Sequence, residues 1–66
     1  MKLVINGEQT EHRDGCTLDE VLEVLSIATD RVAVLVNDEV VRRCNRAARI
    51  LHEGDRVELL TFAPGG

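Results

Sequence analysis

The chain is 66 residues long, enough for one small domain with a thin core and little room for a deep catalytic pocket. Its 44% apolar content, mostly Val, Leu, Ile and Ala, indicates a folded globule rather than a disordered segment. Twelve acidic residues against eight basic ones give a net charge of −4, which disfavours nucleic acid and anionic membrane as partners, and the lack of Trp and Tyr removes a base-stacking platform. Cys16 and Cys44 are too few for a disulfide framework or a zinc site and are expected to be small, partly buried apolar residues. No apolar run is long enough to span a bilayer, and Met1 to Asn6 turns polar too soon for a signal peptide, so a cytoplasmic location is expected.

In chain order, Met1 to Asn6 reads as a strand. Asn6-Gly7 then signals a two-residue hairpin turn, because both residue types tolerate positive φ. A second strand around Gln9 to His12 should pair antiparallel with the first, closed by Asp14-Gly15. Thr17-Leu18-Asp19-Glu20 is a capping box, and Leu18, Val21, Leu22 and Leu25 recur at helical spacing, predicting a helix that ends near Ala28 with Thr29 and Asp30 in the following turn. Val32 to Val36 is a nearly continuous β-branched and apolar run and reads as a buried strand. Asn37-Asp38 predicts a second tight turn, followed by a short strand over Glu39 to Arg42. Asn45 to Leu51 predicts a short helical turn with Ala47, Ala48, Ile50 and Leu51 inward. Glu53-Gly54-Asp55 predicts a third turn, and Arg56 to Phe62 the last strand. Ala63-Pro64-Gly65-Gly66 should leave the sheet as a flexible tail, since Pro cannot donate to a ladder and Gly orders poorly.

This order of elements suits an α+β layering in which one main helix covers one face of a mixed sheet of four to five strands, the ubiquitin-like β-grasp, over residues 1–66 as a single domain. No catalytic set is visible. His12, His52 and Ser26 are scattered, the two histidines are expected to be solvated, no metal-ligand cluster stands out, and there is no glycine-rich phosphate loop. The basic residues Arg42, Arg43, Arg46 and Arg49 read as a solvated face. In the last strand, Val57 and Leu59 should face the helix and Glu58, Leu60 and Phe62 the other side. Leu60 and Phe62, flanked by Glu58 and Pro64, therefore form the expected partner-binding patch.

The feature that carries chemistry is the terminus. Gly has no Cβ, so Gly65 lets the tail thread a narrow channel, and the Gly66 carboxylate is ionised and inert until another enzyme activates it, as by adenylation. Gly-Gly alone is a weak motif and frayed glycine ends are common. Its place directly after the last strand strengthens it.

The ordered set Asn6-Gly7, Thr17 to Leu22, Val32 to Asn37, Val40-Val41, Arg43, Gly54 to Glu58 and Gly65-Gly66 resembles the ThiS/MoaD family of sulfur carriers over the whole length, and within it most nearly the ThiS branch. The resemblance implies a carrier rather than an enzyme. A ThiF-like adenylyltransferase would adenylate Gly66 with MgATP, a persulfide donor protein would convert it to a thiocarboxylate, and the thiazole synthase ThiG would take the sulfur for thiamine. No bound cofactor of the chain's own is implied. A carrier for molybdopterin or another metabolite, a ubiquitin-like modifier, and a pure interaction domain are the alternatives. Two residues depart from the family: Arg46, where many members have an aromatic residue, and Pro64 before the glycines.

Overall fold

The structure, a computed structural model, describes residues 1–27 and 29–61. Its strands are β1 (Lys2–Ile5), β2 (Glu8–Glu11), β3 (Val32–Val36), β4 (Glu39–Val41) and β5 (Arg56–Thr61), with the helix α1 (Leu18–Val24) between β2 and β3. They form one mixed sheet in the order β2-β1-β5-β3-β4. β1/β2 and β3/β4 are antiparallel hairpins, and β5 lies between them, parallel to β1 and antiparallel to β3. This is the β-grasp arrangement expected from the order of elements.

Both hairpin turns follow from residues that accept a left-handed backbone. Asn6 and Gly7 have φ of 49° and 82°, and Asn37 and Asp38 have φ of 51° and 71°, so each turn has positive φ at both central positions, the twist that suits a two-residue hairpin. The capping box is formed as well. The Glu20 N–H donates to Thr17 Oγ1 at 3.2 Å, and the Thr17 N–H donates to Glu20 Oε1 at 3.0 Å. These bonds from Thr17, with Arg13 nearby, hold the Glu20 carboxyl below its usual range.

α1 buries Leu18, Val21 and Leu22 against the inward residues of the sheet, among them Leu3, Val34, Val36 and Val57, all at most 1% exposed. Since one helix covers only one face, β3 alternates rather than being buried throughout. Val32, Val34 and Val36 are buried, whereas Ala33 and Leu35 are half-buried on the open face.

The structure corrects four further expectations. First, α1 ends at Val24 rather than near Ala28, a residue outside those described. Ser26 adopts φ 57°, the Ser26 N–H donates to the Glu23 carbonyl, and the Ile27 N–H reaches back to the Leu22 carbonyl, both at 3.0 Å. This is a Schellman ending with serine where glycine is usual, and Ile27 packs against the core as the motif favours. Ser26 therefore lies just beyond the helix, not on it.

Second, the short helical segment is a 3-10 helix over Arg43–Ala48, and its inward residue is Arg46, only 4% exposed. The guanidinium donates from Nη2 to the Val32 carbonyl at 2.7 Å. The long arginine stem fills the space and its head finds a main-chain acceptor, which is how a charged side chain becomes tolerable inside. Third, with Arg46 inside, Ala47 and Ala48 are exposed. Residues 49–51 are extended along the start of α1: Leu18 N–H donates to Arg49 O at 2.8 Å and Leu51 N–H to Cys16 O at 2.9 Å. In an extended segment neighbouring side chains oppose each other, so Leu51 is buried and Ile50 is half exposed. Fourth, Cys16 is buried in the core as expected but Cys44 is exposed.

Candidate functional site

β5 is the element that would carry the tail, and it is held from both sides. On the β3 side the ladder runs from Val36↔Val57 to Val32↔Thr61. On the β1 side the register covers only Val4↔Arg56 and Ile5↔Val57. Two bonds from the hairpin turn then extend it: the Asn6 N–H donates to the Val57 carbonyl at 2.8 Å, and the Leu59 N–H donates to Asn6 Oδ1 at 2.8 Å. Beyond Leu59, among the described residues, the strand is paired with β3 alone. Its final residues thus have one open side and one anchored side.

The root of β5 is fastened by the second turn. The Arg56 N–H donates to Asn37 Oδ1 at 2.9 Å, the Asn37 N–H to the Arg56 carbonyl at 2.8 Å, and Asn37 Nδ2 to Asp55 Oδ1 at 3.0 Å. Asp55 Oδ2 also accepts the His52 N–H at 2.8 Å. Burial works to raise the Asp55 carboxyl, but hydrogen bonds from Asn37 and His52, with the charges of His52 and Arg49 nearby, hold it below its ordinary value. Arg56 is paired with Asp38 at 3.0 Å.

Side chains along β5 alternate as expected. Val57 is buried and Leu59 half-buried towards α1, while Glu58 and Leu60 stand on the open face, Leu60 at 53% exposure. Leu60 and Glu58 border an open depression of about 440 Å³, lined also by Val4, Asn6, Gly7, Arg56 and Val57. Two of the four expected partner-binding residues are thus brought together on one surface. Phe62, Pro64, Gly65 and Gly66 lie outside the described residues.

The sequence reading missed the rest of this face. The register sets Leu35 beside Glu58 and Val40 beyond Leu35, and Ala33 beside Leu60. Val40 is 68% exposed, unusual for a valine in a sheet. The signal was available, since applying the two-residue alternation to β3 and β4 as well as to β5 would have placed Ala33, Leu35 and Val40 with Leu60. Asn6 was read as a turn residue only, and nothing local to it shows that its side chain reaches a backbone N–H 53 positions away.

The other chemistry-bearing residues stay apart. His12 is half-buried and its Nε2 lies 2.8 Å from Thr10 Oγ1, whereas the His52 side chain is 77% exposed beside Asp55. Among the described residues, no three of His, Cys, Asp and Glu come together to hold a metal ion. No helix among them is long and apolar enough to cross a membrane.

Comparison with known proteins covers the whole chain. The model of the ThiS family matches residues 3–66. A sulfur carrier protein ThiS from Thermus thermophilus is 39% identical over 62 residues, covering 94% of this chain and 95% of that protein. Two thiazole synthases match every residue of this chain, from Paramagnetospirillum magneticum at 36% identity and from Magnetococcus marinus at 39%, but the chain spans only 20% of the length of each. The crystal structure of a thiamine biosynthesis protein (ThiS) from Geobacter metallireducens superposes with a TM-score of 0.88 at 33% identity, covering all of both chains. A solution structure of a thiamine biosynthesis protein from the same organism gives 0.81 at 33% identity. With its order of elements, its sheet and its full length matched in this way, the chain belongs to the ThiS family.

Proposed function

We propose that the protein is a sulfur carrier of thiamine biosynthesis, supplying the sulfur of the thiazole ring. In this reading the Gly66 carboxylate attacks the α-phosphate of MgATP on a ThiF-like adenylyltransferase, releasing pyrophosphate and forming an acyl adenylate. The sulfur of a persulfide donor protein then displaces AMP, and thiol reduction of the resulting disulfide leaves a thiocarboxylate on Gly66. The thiazole synthase ThiG accepts that sulfur. In this reading the chain is a substrate throughout, catalyses none of these steps and works in the cytoplasm. Gly65 gives the tail passage into each partner, and the open face around Leu60 and Glu58 docks them, with Phe62 and Pro64 as the further contacts that the sequence suggests.

The observation that carries the proposal is the match of the ThiS family over residues 3–66, which includes the Gly65-Gly66 pair. The two thiazole synthases that contain a region similar to this chain favour the thiazole pathway over other sulfur acceptors.

The test is intact-mass spectrometry after incubation with ATP, a ThiF-type adenylyltransferase and a persulfide donor. The expected product is the whole chain heavier by one oxygen-to-sulfur exchange, with the change confined to Gly66 by fragmentation. No exchange with an adenylyltransferase that charges another ThiS protein overturns the reading.

A further inference from the structure

The four arginines that look like one cluster in the sequence are divided by the fold. Arg46 turns inward to the Val32 carbonyl, and Arg49 is half-buried with its charge acting on Asp55. Arg42 and Arg43 are exposed. They are joined by a third exposed arginine, Arg31, which closes the 3-10 helix Thr29–Arg31 immediately before β3.

These three residues share one end of the sheet. The pairing Val34↔Val41 brings the chain after β4 back towards the start of β3, and Arg42 is still extended, with φ −64° and ψ 148°. The ladder ends at that pair; Arg42 is the next residue on, and Ala33, the residue before Val34, is paired with Leu60. Val32, adjoining Arg31 and fixed by Arg46, is paired with Thr61, the last residue of β5. The three arginines therefore stand around the end of the sheet from which the chain continues towards Gly66.

Their charges are not matched by ion pairs among the described residues. Arg13 is paired with Glu20 and Arg56 with Asp38, but among the described residues Arg31, Arg42 and Arg43 take part in no ion pair. Asp30 is the one carboxylate in the segments that bear them, Asp30–Val32 and Val41–Arg43. The rest of the chain carries eleven acidic residues against five basic ones, so these segments are basic in an otherwise acidic chain.

We propose that Arg31, Arg42 and Arg43 form a basic rim beside the Leu60 face that docks against an acidic protein surface bordering the place where the tail is taken up. An apolar centre edged by charge is the usual anatomy of a transient interface, and exposed rim charges act mainly on encounter rate and orientation. The inference rests on the carrier reading, since it needs a partner that receives the tail. Nucleic acid is the other polyanion a basic rim could meet. The strongly acidic remainder of the chain repels it, while a partner that is acidic only around one channel avoids that repulsion.

The experiment compares association of the full chain with its ThiF-type adenylyltransferase by stopped flow, at low and at physiological ionic strength. The charge reversal Arg42→Glu/Arg43→Glu should lower the association rate constant about tenfold or more at low ionic strength and flatten its salt dependence. The adenylation rate at saturating carrier should stay the same. Arg42→Gln/Arg43→Gln, which removes charge without reversing it, should give an intermediate loss, and Arg13→Gln should behave as the wild type. Association rates and salt dependence unchanged in both double variants overturn the proposal. So does retention of a labelled RNA or DNA by the wild type at physiological salt that the double variants lose. If the wild type is not adenylated at all, the carrier reading fails first. Adenylation with charge-insensitive association sinks the rim alone.

Discussion

The two hairpin turns are near copies of one another, and both act on the same strand. Each opens with an asparagine in the left-handed region, and each asparagine uses its side-chain oxygen to accept a backbone N–H of β5: Asn6 from Leu59 and Asn37 from Arg56. They differ in what stands around them. Asn37 also donates to Asp55 and is followed by Asp38, which is paired with Arg56. Asn6 has its one side-chain bond and is followed by Gly7 at the border of the open depression. Beyond the β3 ladder, the root of β5 is thus fastened by several side-chain bonds, and its middle by one side-chain and one main-chain bond from Asn6 beside the open depression. Side-chain anchoring is concentrated at the root of β5 and thins towards the depression bordered by Leu60.

If that contrast is right, Asn37→Ala should be the more damaging change. It removes the acceptor for the Arg56 N–H and the donor to Asp55 and leaves alanine at positive φ, for a loss of about 2–3 kcal/mol in urea unfolding. Asn6→Ala should cost about 1–2 kcal/mol by the same measure. It should also speed amide exchange at Leu59 with little change at Arg56, whereas Asn37→Ala reverses that pattern. A loss at Asn6 equal to that at Asn37 would remove the distinction between the turns.

The second turn residues give a smaller effect. Gly7→Ala introduces a Cβ at φ 82° and should destabilise by about 1 kcal/mol, although the space around it is open. Asp38→Gly relieves a strained residue and removes an exposed ion pair, and the two should cancel to within about 0.5 kcal/mol.

The smallest effect is in pH dependence. Asp55 has its folded value below the ordinary 3.8, so its stabilisation is complete above that pH and is lost as the pH falls through the lower folded value. Asp55→Asn should be less stable than the wild type at neutral pH, with the gap closing in acid, as followed by thermal unfolding across that range.

Much of this was legible in the sequence because it is local. The strand bounds at Val32–Val36, both asparagine turns and the Thr17–Glu20 capping box depend on residues within four positions of each other. The end of α1 was misread because a left-handed serine is uncommon, and no glycine marks the stop at Ser26. Arg46 was misread because its partner, the Val32 carbonyl, lies 14 residues away and any backbone carbonyl looks alike in sequence. Leu51 is inward as expected, but Ala47, Ala48 and Ile50 were misassigned by assuming one helical period across a stretch that is first 3-10 and then extended. Of the candidate site, the facing of Glu58 and Leu60 followed from alternation alone, while the arginine rim needed the pairing of β3 with β4 and β5.

The position of β5 between the two hairpins also sets an order of assembly. Each hairpin closes over a few residues, but neither has a complete sheet to join until β5 is inserted between them, and an isolated hairpin is marginal in water. The core around Val57 can therefore consolidate only once β5 has joined both hairpins. The face that carries Leu60, Ala33, Leu35 and Val40 is therefore assembled only when β5 is in place, and a half-made chain presents no such surface.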